Sequence, residues 1–210
     1  HNVGGGSGNG AARGGLRALA SDPFVHAIWA LGLTQIIGWG ANFYCLAVLG
    51  RPIAAGMGWS QSLVFGGMTL ALLISGAISA PLGRLIDRQG GRRVMVVGFL
   101  IAAAGNLTVA AAREPSMYLA GWALLGVAMR MTLYDAAFAA LVQVVPDRGR
   151  RAISYLTLFG GLASTVFWPL GYWLEASIGW RLTLVVFAVL NALVAAPLAE
   201  RVPMPALAAL

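Results

Sequence analysis

From residue 24 to residue 198 the sequence repeats one pattern: a long apolar run, then a short break of glycine, proline or arginine. A helix crosses a hydrocarbon core of about 30 Å with about 20 apolar residues. Six runs reach that length, at roughly 24–50, 60–82, 93–112, 117–144, 153–175 and 180–198. The pattern predicts an all-α polytopic membrane protein of six transmembrane helices. Ser21-Asp22-Pro23 and Trp59-Ser60 supply N-caps for the first two runs. Pro115-Ser116 opens the fourth and Pro146 stops it.

Composition narrows the class. Of 210 residues 59% are hydrophobic and 10% charged, against about 25% charged in soluble domains. So few charges cannot coat a soluble globule. The net charge of +7 does not point to nucleic acid, because the arginines fall between apolar runs instead of gathering on one soluble face. Cys45, the single cysteine, allows no internal disulfide and reads as a small filler facing lipid or a neighbouring helix. Residues 1–20 form a glycine-rich tail too polar to bury a core. The domain reading is this disordered cytoplasmic tail, a six-helix bundle over 21–200, and the start of a cytoplasmic linker over 201–210. The start without methionine and the abrupt end suggest a piece of a longer chain.

The arginines set orientation. Arg13, Arg17, Arg84, Arg88, Arg92, Arg93, Arg148, Arg150, Arg151 and Arg201 fall on one side of the six runs. Only Arg51, Arg113 and Arg181 fall on the other, with Arg130 inside a run. Positively charged loops stay in the cytoplasm. This distribution therefore predicts a multi-pass protein of the inner membrane with both termini cytoplasmic.

The stretch after the second run has a second copy. "PLGRLIDRQGGRRVMVVGF" (81–99) laid over "PLGYWLEASIGWRLTLVVF" (169–187) matches at seven of nineteen positions without a gap. The matches include Pro-Leu-Gly, the Gly91/Gly179 pair and the Arg93/Arg181 pair, and Asp87 falls on Glu175. One copy follows the second run and the other follows the fifth, on opposite sides by the arginine distribution. Two related triplets of opposite orientation form a 3+3 inverted repeat, a signature of secondary transporters.

Gly83, Leu85, Asp87, Arg88, Gly90, Arg92 and Arg93 have the spacing Gly-x-Leu-x-Asp-Arg-x-Gly-x-Arg-Arg. This resembles motif A of the major facilitator superfamily, and "GWR" at 179–181 is also similar to that family. The resemblance covers about residues 24–198 and implies the N-terminal six-helix half of a twelve-helix transporter. It implies that Asp87 is the central acceptor of a cytoplasmic latch, with Arg88, Arg92 and Arg93 as partners. Gly83 and Gly90 are expected to let backbones approach and turn tightly. The plainer reading is that these arginines only anchor topology beside anionic lipid. The sequence departs from the family in two places. Trp122 stands where the fourth helix usually carries arginine, with Gly126 retained. The antiporter pattern of the fifth helix is reduced to Pro169 and Gly171.

Polar residues inside the runs are the candidate pathway. Gln35, Trp39 and Asn42 are expected on one face of the first helix, lining a cavity or bonding other helices. Ser75, Ser79 and Gly83 read as a close-packing seam in the second. Arg130 lies deep in the fourth run, where a charge is expensive and functional by default. It is a candidate for an anionic solute group. Asp135 is a candidate proton site, a counter-ion to Arg130, or a brace for the motif A arginines. The two stand about 140° apart on a continuous helix. His26, at the start of the first run, reads as a solvated helix end. Trp59, Tyr118 and Trp180 read as interfacial aromatics.

Three function classes remain distinguishable. The leading one is a secondary active transporter moving a small solute, anionic and of carboxylate type, by alternating access, with a proton or another coupling ion. Its partners are the bilayer, the solute, and either a missing C-terminal six-helix half or a second copy. The alternative is a non-transporting six-helix sensor or scaffold derived from the same half-unit. An enzyme is disfavoured: no GxSxG, no HExxH and no lysine for a phosphate loop occur. No metal, cofactor or nucleic acid is implied.

Overall fold

A computed structural model of the chain describes residues 23–144 and 149–202. Among these residues the structure is helical, without strands. The expected caps Ser21 and Asp22, the stop at Pro146, the tail and most of the linker lie outside the described residues.

Helix α1 (Pro23–Gly38) passes through a π-helical turn (Trp39–Tyr44) into α2 (Cys45–Met57). The first run thus continues past residue 50, through Arg51 and Pro52. Its stop is Gly58, at φ 64°, whose N–H returns to the Ala54 carbonyl. Ser60 then caps α3 (Gln61–Ala77), its Oγ accepting from the Leu63 N–H at 3.2 Å. Helix α4 (Ser79–Gln89) follows at an angle of 58° to α3. Most of the stretch expected as a tight turn is therefore helix. Gly83 lies inside α4 with open space where a Cβ would stand, and only Gly90 takes a positive φ, 84°. The turn is made by one glycine.

Gly90 leads into α5 (Gly91–Ala111). Helix α6 (Pro115–Thr132) begins on a proline, whose missing N–H has no partner to lose there. Leu133, with extended backbone, separates it from α7 (Tyr134–Val144). Helix α8 (Gly149–Val189) runs through a second π-helical turn (Leu190–Ala195) into α9 (Ala196–Glu200).

Among the described residues four helical stretches are long and apolar enough to cross a membrane, and the bent α3–α4 pair makes a fifth. The last of the four covers 52 residues, Gly149–Glu200. At 1.5 Å per residue that is about 78 Å, more than twice a hydrocarbon core. Gly179 interrupts it at φ 76° and ψ 163°, and each resulting stretch is long enough to cross.

The core closes where small residues let helices touch. A Cβ at Gly126 would collide with the Ala71 carbonyl, and one at Gly67 with the Trp122 ring. The α3–α6 seam is thus Gly67 and Ala71 against Trp122 and Gly126, not the expected Ser75, Ser79 and Gly83. Trp122, at the place where the resemblance expects arginine, fills this seam. Tyr118 is fully buried and donates to the Val64 carbonyl at 2.9 Å, so it is a core residue and not an interfacial one. Trp59 packs on it edge to face at 5.4 Å. Cys45 is buried against neighbouring helices.

Helix α5 and the stretch after Gly179 run antiparallel, fastened at both ends. Arg92, near the start of α5, donates to the Val202 carbonyl at 3.3 Å. Arg181, two residues after Gly179, donates to the carbonyls of Ala110 and, at 2.8 Å, Ala112. Its guanidinium also lies 4.3 Å from the Trp180 ring centre. Each arginine thereby satisfies carbonyls left open at the end of the other helix. The outer surface carries Leu73, Leu158, Trp173 and Leu193, each 65–70% exposed. Side chains of this kind exposed in such number suit lipid and not water.

Candidate functional site

The site is built around the break between α6 and α7. A helix broken at membrane depth leaves backbone groups that lipid cannot satisfy. Here Leu133 gives its N–H to the Met129 carbonyl at 3.0 Å. The Thr132 carbonyl accepts from Gln35 Nε2, on α1, at 2.9 Å. Gln35 is fully buried, and its amide replaces the helical donor that the break removed. The Thr132 hydroxyl is also used, donating to the Ala128 carbonyl at 2.8 Å.

The break also brings Arg130 and Asp135 together. On a continuous helix their side chains would diverge; across the bend Arg130 Nη1 and Asp135 Oδ2 stand 2.7 Å apart. Among the described residues this is the only ion pair. It is placed well for both partners, since Arg130 sits in the last turn of α6 and Asp135 in the first turn of α7. Helix dipoles favour a cation at a C-terminus and an anion at an N-terminus. Arg130 is 30% exposed and Asp135 56%. Asp135 thus pairs with Arg130 in this structure, and with none of the motif A arginines.

Aromatic rings stand beside the pair. Trp39 lies 5.0 Å from Tyr134, and Tyr134 stacks on Phe138 at 5.0 Å. Phe43 and Tyr44 pack on Trp39 at 5.2 and 6.1 Å. All five are half-buried, so together they make a wall and not a core. The Tyr134 hydroxyl is tied back to the Thr157 carbonyl at 3.3 Å, over Gly160, where a Cβ would collide with it.

Asn42 does not join this face. The π-helical turn starting at Trp39 changes the angular step, so Gln35 meets α6 and Trp39 meets α7 while Asn42 turns toward α5 and the last helical stretch. There it exchanges amide hydrogen bonds with Asn191 at 3.0 and 3.1 Å and accepts from Asn106 at 3.0 Å. Asn106 and Asn191 each also donate to the carbonyl four residues earlier, Ala102 and Phe187. All three asparagines are fully buried. The sequence reading missed Asn106 and Asn191, although an isolated amide in an apolar run was a usable signal. It also missed the Tyr134 and Phe138 pair, one turn apart on α7.

Among the described residues the motif A side chains form no ion pair with one another. Asp87 and Arg88 are exposed and have no ion pair among the described residues. Arg92 is committed to Val202. Leu85 is half-buried and Arg93 exposed. No group of metal-ligating side chains occurs among the described residues.

Residues 28–207 match the family model of the Major Facilitator Superfamily. The chain belongs to this superfamily. It is a multi-pass membrane protein of a transporter family and not an enzyme. The multidrug resistance protein MdtH of Shigella dysenteriae is 30% identical over 119 residues, which are 56% of this chain and 29% of the relative. MdtH of Cronobacter sakazakii is 31% identical over 120 residues, again 56% and 29% of the two chains. The multidrug resistance protein MdtL of Klebsiella pneumoniae is 30% identical over 122 residues, 57% of this chain and 30% of the relative. The matched stretch thus spans under a third of these superfamily members.

Proposed function

We propose that the chain is the six-helix half of a secondary active transporter, and that the Arg130–Asp135 pair with its aromatic wall lines the solute pathway. One observation carries this reading: a charged pair, open to its surroundings, stands inside a helical stretch long and apolar enough to cross a membrane. Hydrocarbon makes such exposure expensive, so this face must meet water or protein. A water-filled cavity opening between two halves provides both.

The mechanism follows from the pair. So exposed an ion pair contributes only about 0–1 kcal/mol to stability, so opening it is easy. Protonation of Asp135 removes its hold on Arg130, and the freed guanidinium then offers a fork to the carboxylate of an anionic solute. Proton and anion would bind together, with Trp39 and Tyr134 covering the apolar part of the solute. The aromatic wall favours a second reading, in which a planar cation displaces Arg130 from Asp135. The relatives named as multidrug resistance proteins fit that second reading.

The inverted repeat belongs to the same proposal. Gly90 (φ 84°, ψ 146°) and Gly179 (φ 76°, ψ 163°) share one backbone conformation. Arg92 and Arg181 each follow by two residues and each caps the other helix. That places the helix starts one residue off the sequence alignment, which had paired Gly91 with Gly179 and Arg93 with Arg181. In this reading the arginine-rich end is cytoplasmic, Asp87 and Arg88 await the other six-helix half or a second copy, and transport proceeds by alternating access.

The test uses the full-length protein in liposomes. Arg130→Gln should abolish accumulation of an anionic substrate, and Asp135→Asn should uncouple it from the proton gradient. Flux of cations lost in Asp135→Asn but kept in Arg130→Gln would select the second reading. Absence of any flux from the unaltered protein, across anionic and cationic solutes, would leave the sensor or scaffold standing.

A further inference from the structure

We infer that the arginine-rich end of α5 holds one acidic phospholipid, in a cleft shared by α4, α5 and α9. The cleft has a volume of about 430 Å³ and is lined by Leu85, Gln89, Arg92, Arg93, Val97 and Glu200, among others. That is within the size range of sites for small molecules, about 300–1,000 Å³. Its chemistry is divided. One part presents two guanidinium groups; the other is aliphatic, with Val94 and Val96 beside Val97.

The guanidinium groups are available. Arg93 is exposed and has no hydrogen-bond or ion-pair partner among the described residues, and Arg92 uses Nη1 alone, on Val202. Glu200 lines the same cleft but pairs with neither arginine, so two guanidinium groups face one carboxylate there. Local charge therefore stays positive after Glu200 is counted. Guanidinium matches phosphate through paired N–H donors.

The apolar part decides which phosphate. Beyond Val97 the outer side of α5 continues through exposed Leu100 and Leu107. This aliphatic track leads away from the arginines along the helix. A free phosphate would leave it unused, whereas a phospholipid would place its headgroup on Arg92 and Arg93 and an acyl chain along Val97 and Leu100. Negative headgroups are drawn to basic residues at a membrane surface, and the cleft gives that attraction a defined place. The inference does not depend on which solute is carried.

The experiment uses the full-length protein in a neutral detergent. Native mass spectrometry and thermal unfolding are read with phosphatidylglycerol, with phosphatidylcholine, and with inorganic phosphate. Expected is retention of one phosphatidylglycerol, with a raised unfolding temperature that phosphatidylcholine does not reproduce. Arg93→Gln, which breaks no hydrogen bond or ion pair among the described residues, should weaken phosphatidylglycerol retention roughly tenfold, the cost of one charge-assisted contact. Val97→Asn should also weaken it. Equal retention of phosphatidylcholine overturns the inference, as does an unchanged affinity in Arg93→Gln. Stabilisation by inorganic phosphate as large as that by the lipid would instead mark a phosphate site and overturn it too.

Discussion

Gln35 shows what one side chain can do for a broken helix. Its amide donates to a carbonyl 97 positions away, the one that Leu133 leaves open. Gln35→Leu keeps the volume and removes the donor, so the buried Thr132 carbonyl loses its partner at a cost of about 1–3 kcal/mol. Denaturation of the detergent-solubilised protein should show that loss; unchanged stability would mean that the carbonyl has another donor. The sequence already singled out Gln35, Trp39, Arg130 and Asp135, because polar groups in apolar runs are rare and expensive. It offered their pairing as one of three readings of Asp135 but could not select it, since spacing on a continuous helix sets them apart. Nothing in "RMTLYD" announces the extended residue between them: Leu133 is no helix breaker by propensity, and tertiary packing imposes its conformation.

At the level of helices, most boundaries were legible because glycine, proline and serine act locally. Ser60, Gly90 and Pro115 each mark a boundary for a reason readable in the residue itself, whereas the first run, expected to end at roughly 50, stops only at Gly58. The helix-to-helix seams were not legible. Several helices carry glycine and serine at four-residue spacing, and only the neighbour decides which set packs. The set that packs includes Gly126. Gly126→Val should therefore force α3 from α6 and reduce folded yield sharply, whereas Gly83→Val, with open space around it, should not; size-exclusion profiles of the two would distinguish them. The asparagine cluster ties the π-helical turn of the first run to that of the last. Asn42→Ala and Asn191→Ala should each destabilise, and the pair together should cost less than the sum. The expected coupling is about 0.5–2 kcal/mol, measured by a double-mutant cycle; strict additivity would mean that the amides do not act as a pair.

For the whole molecule, membrane character and family were readable from run length and the motif A spacing, and residues 28–207 carry that family identity. Orientation rests on the arginine distribution and has a direct measurement. In a Cys45→Ala background, Arg88→Cys and Ser177→Cys place single thiols on exposed positions either side of the proposed repeat. An impermeant maleimide should reach Arg88→Cys only from the cytoplasm and Ser177→Cys only from outside. Labelling of both from one side would remove the inverted symmetry.

The crossed arginine contacts also constrain the order in which the protein can be made. When α5 leaves the ribosome, the donor for its last carbonyls has not been synthesised; Arg181 comes 71 residues after Ala110 and 69 after Ala112. Until then water or the insertion machinery must serve those oxygens. The stretches up to Ala111 can enter the bilayer early, but the end of α5 settles only when the residues after Gly179 begin to arrive. A nascent chain arrested before Arg181 should remain sensitive to protease at the end of α5, and become resistant within a few residues of passing it.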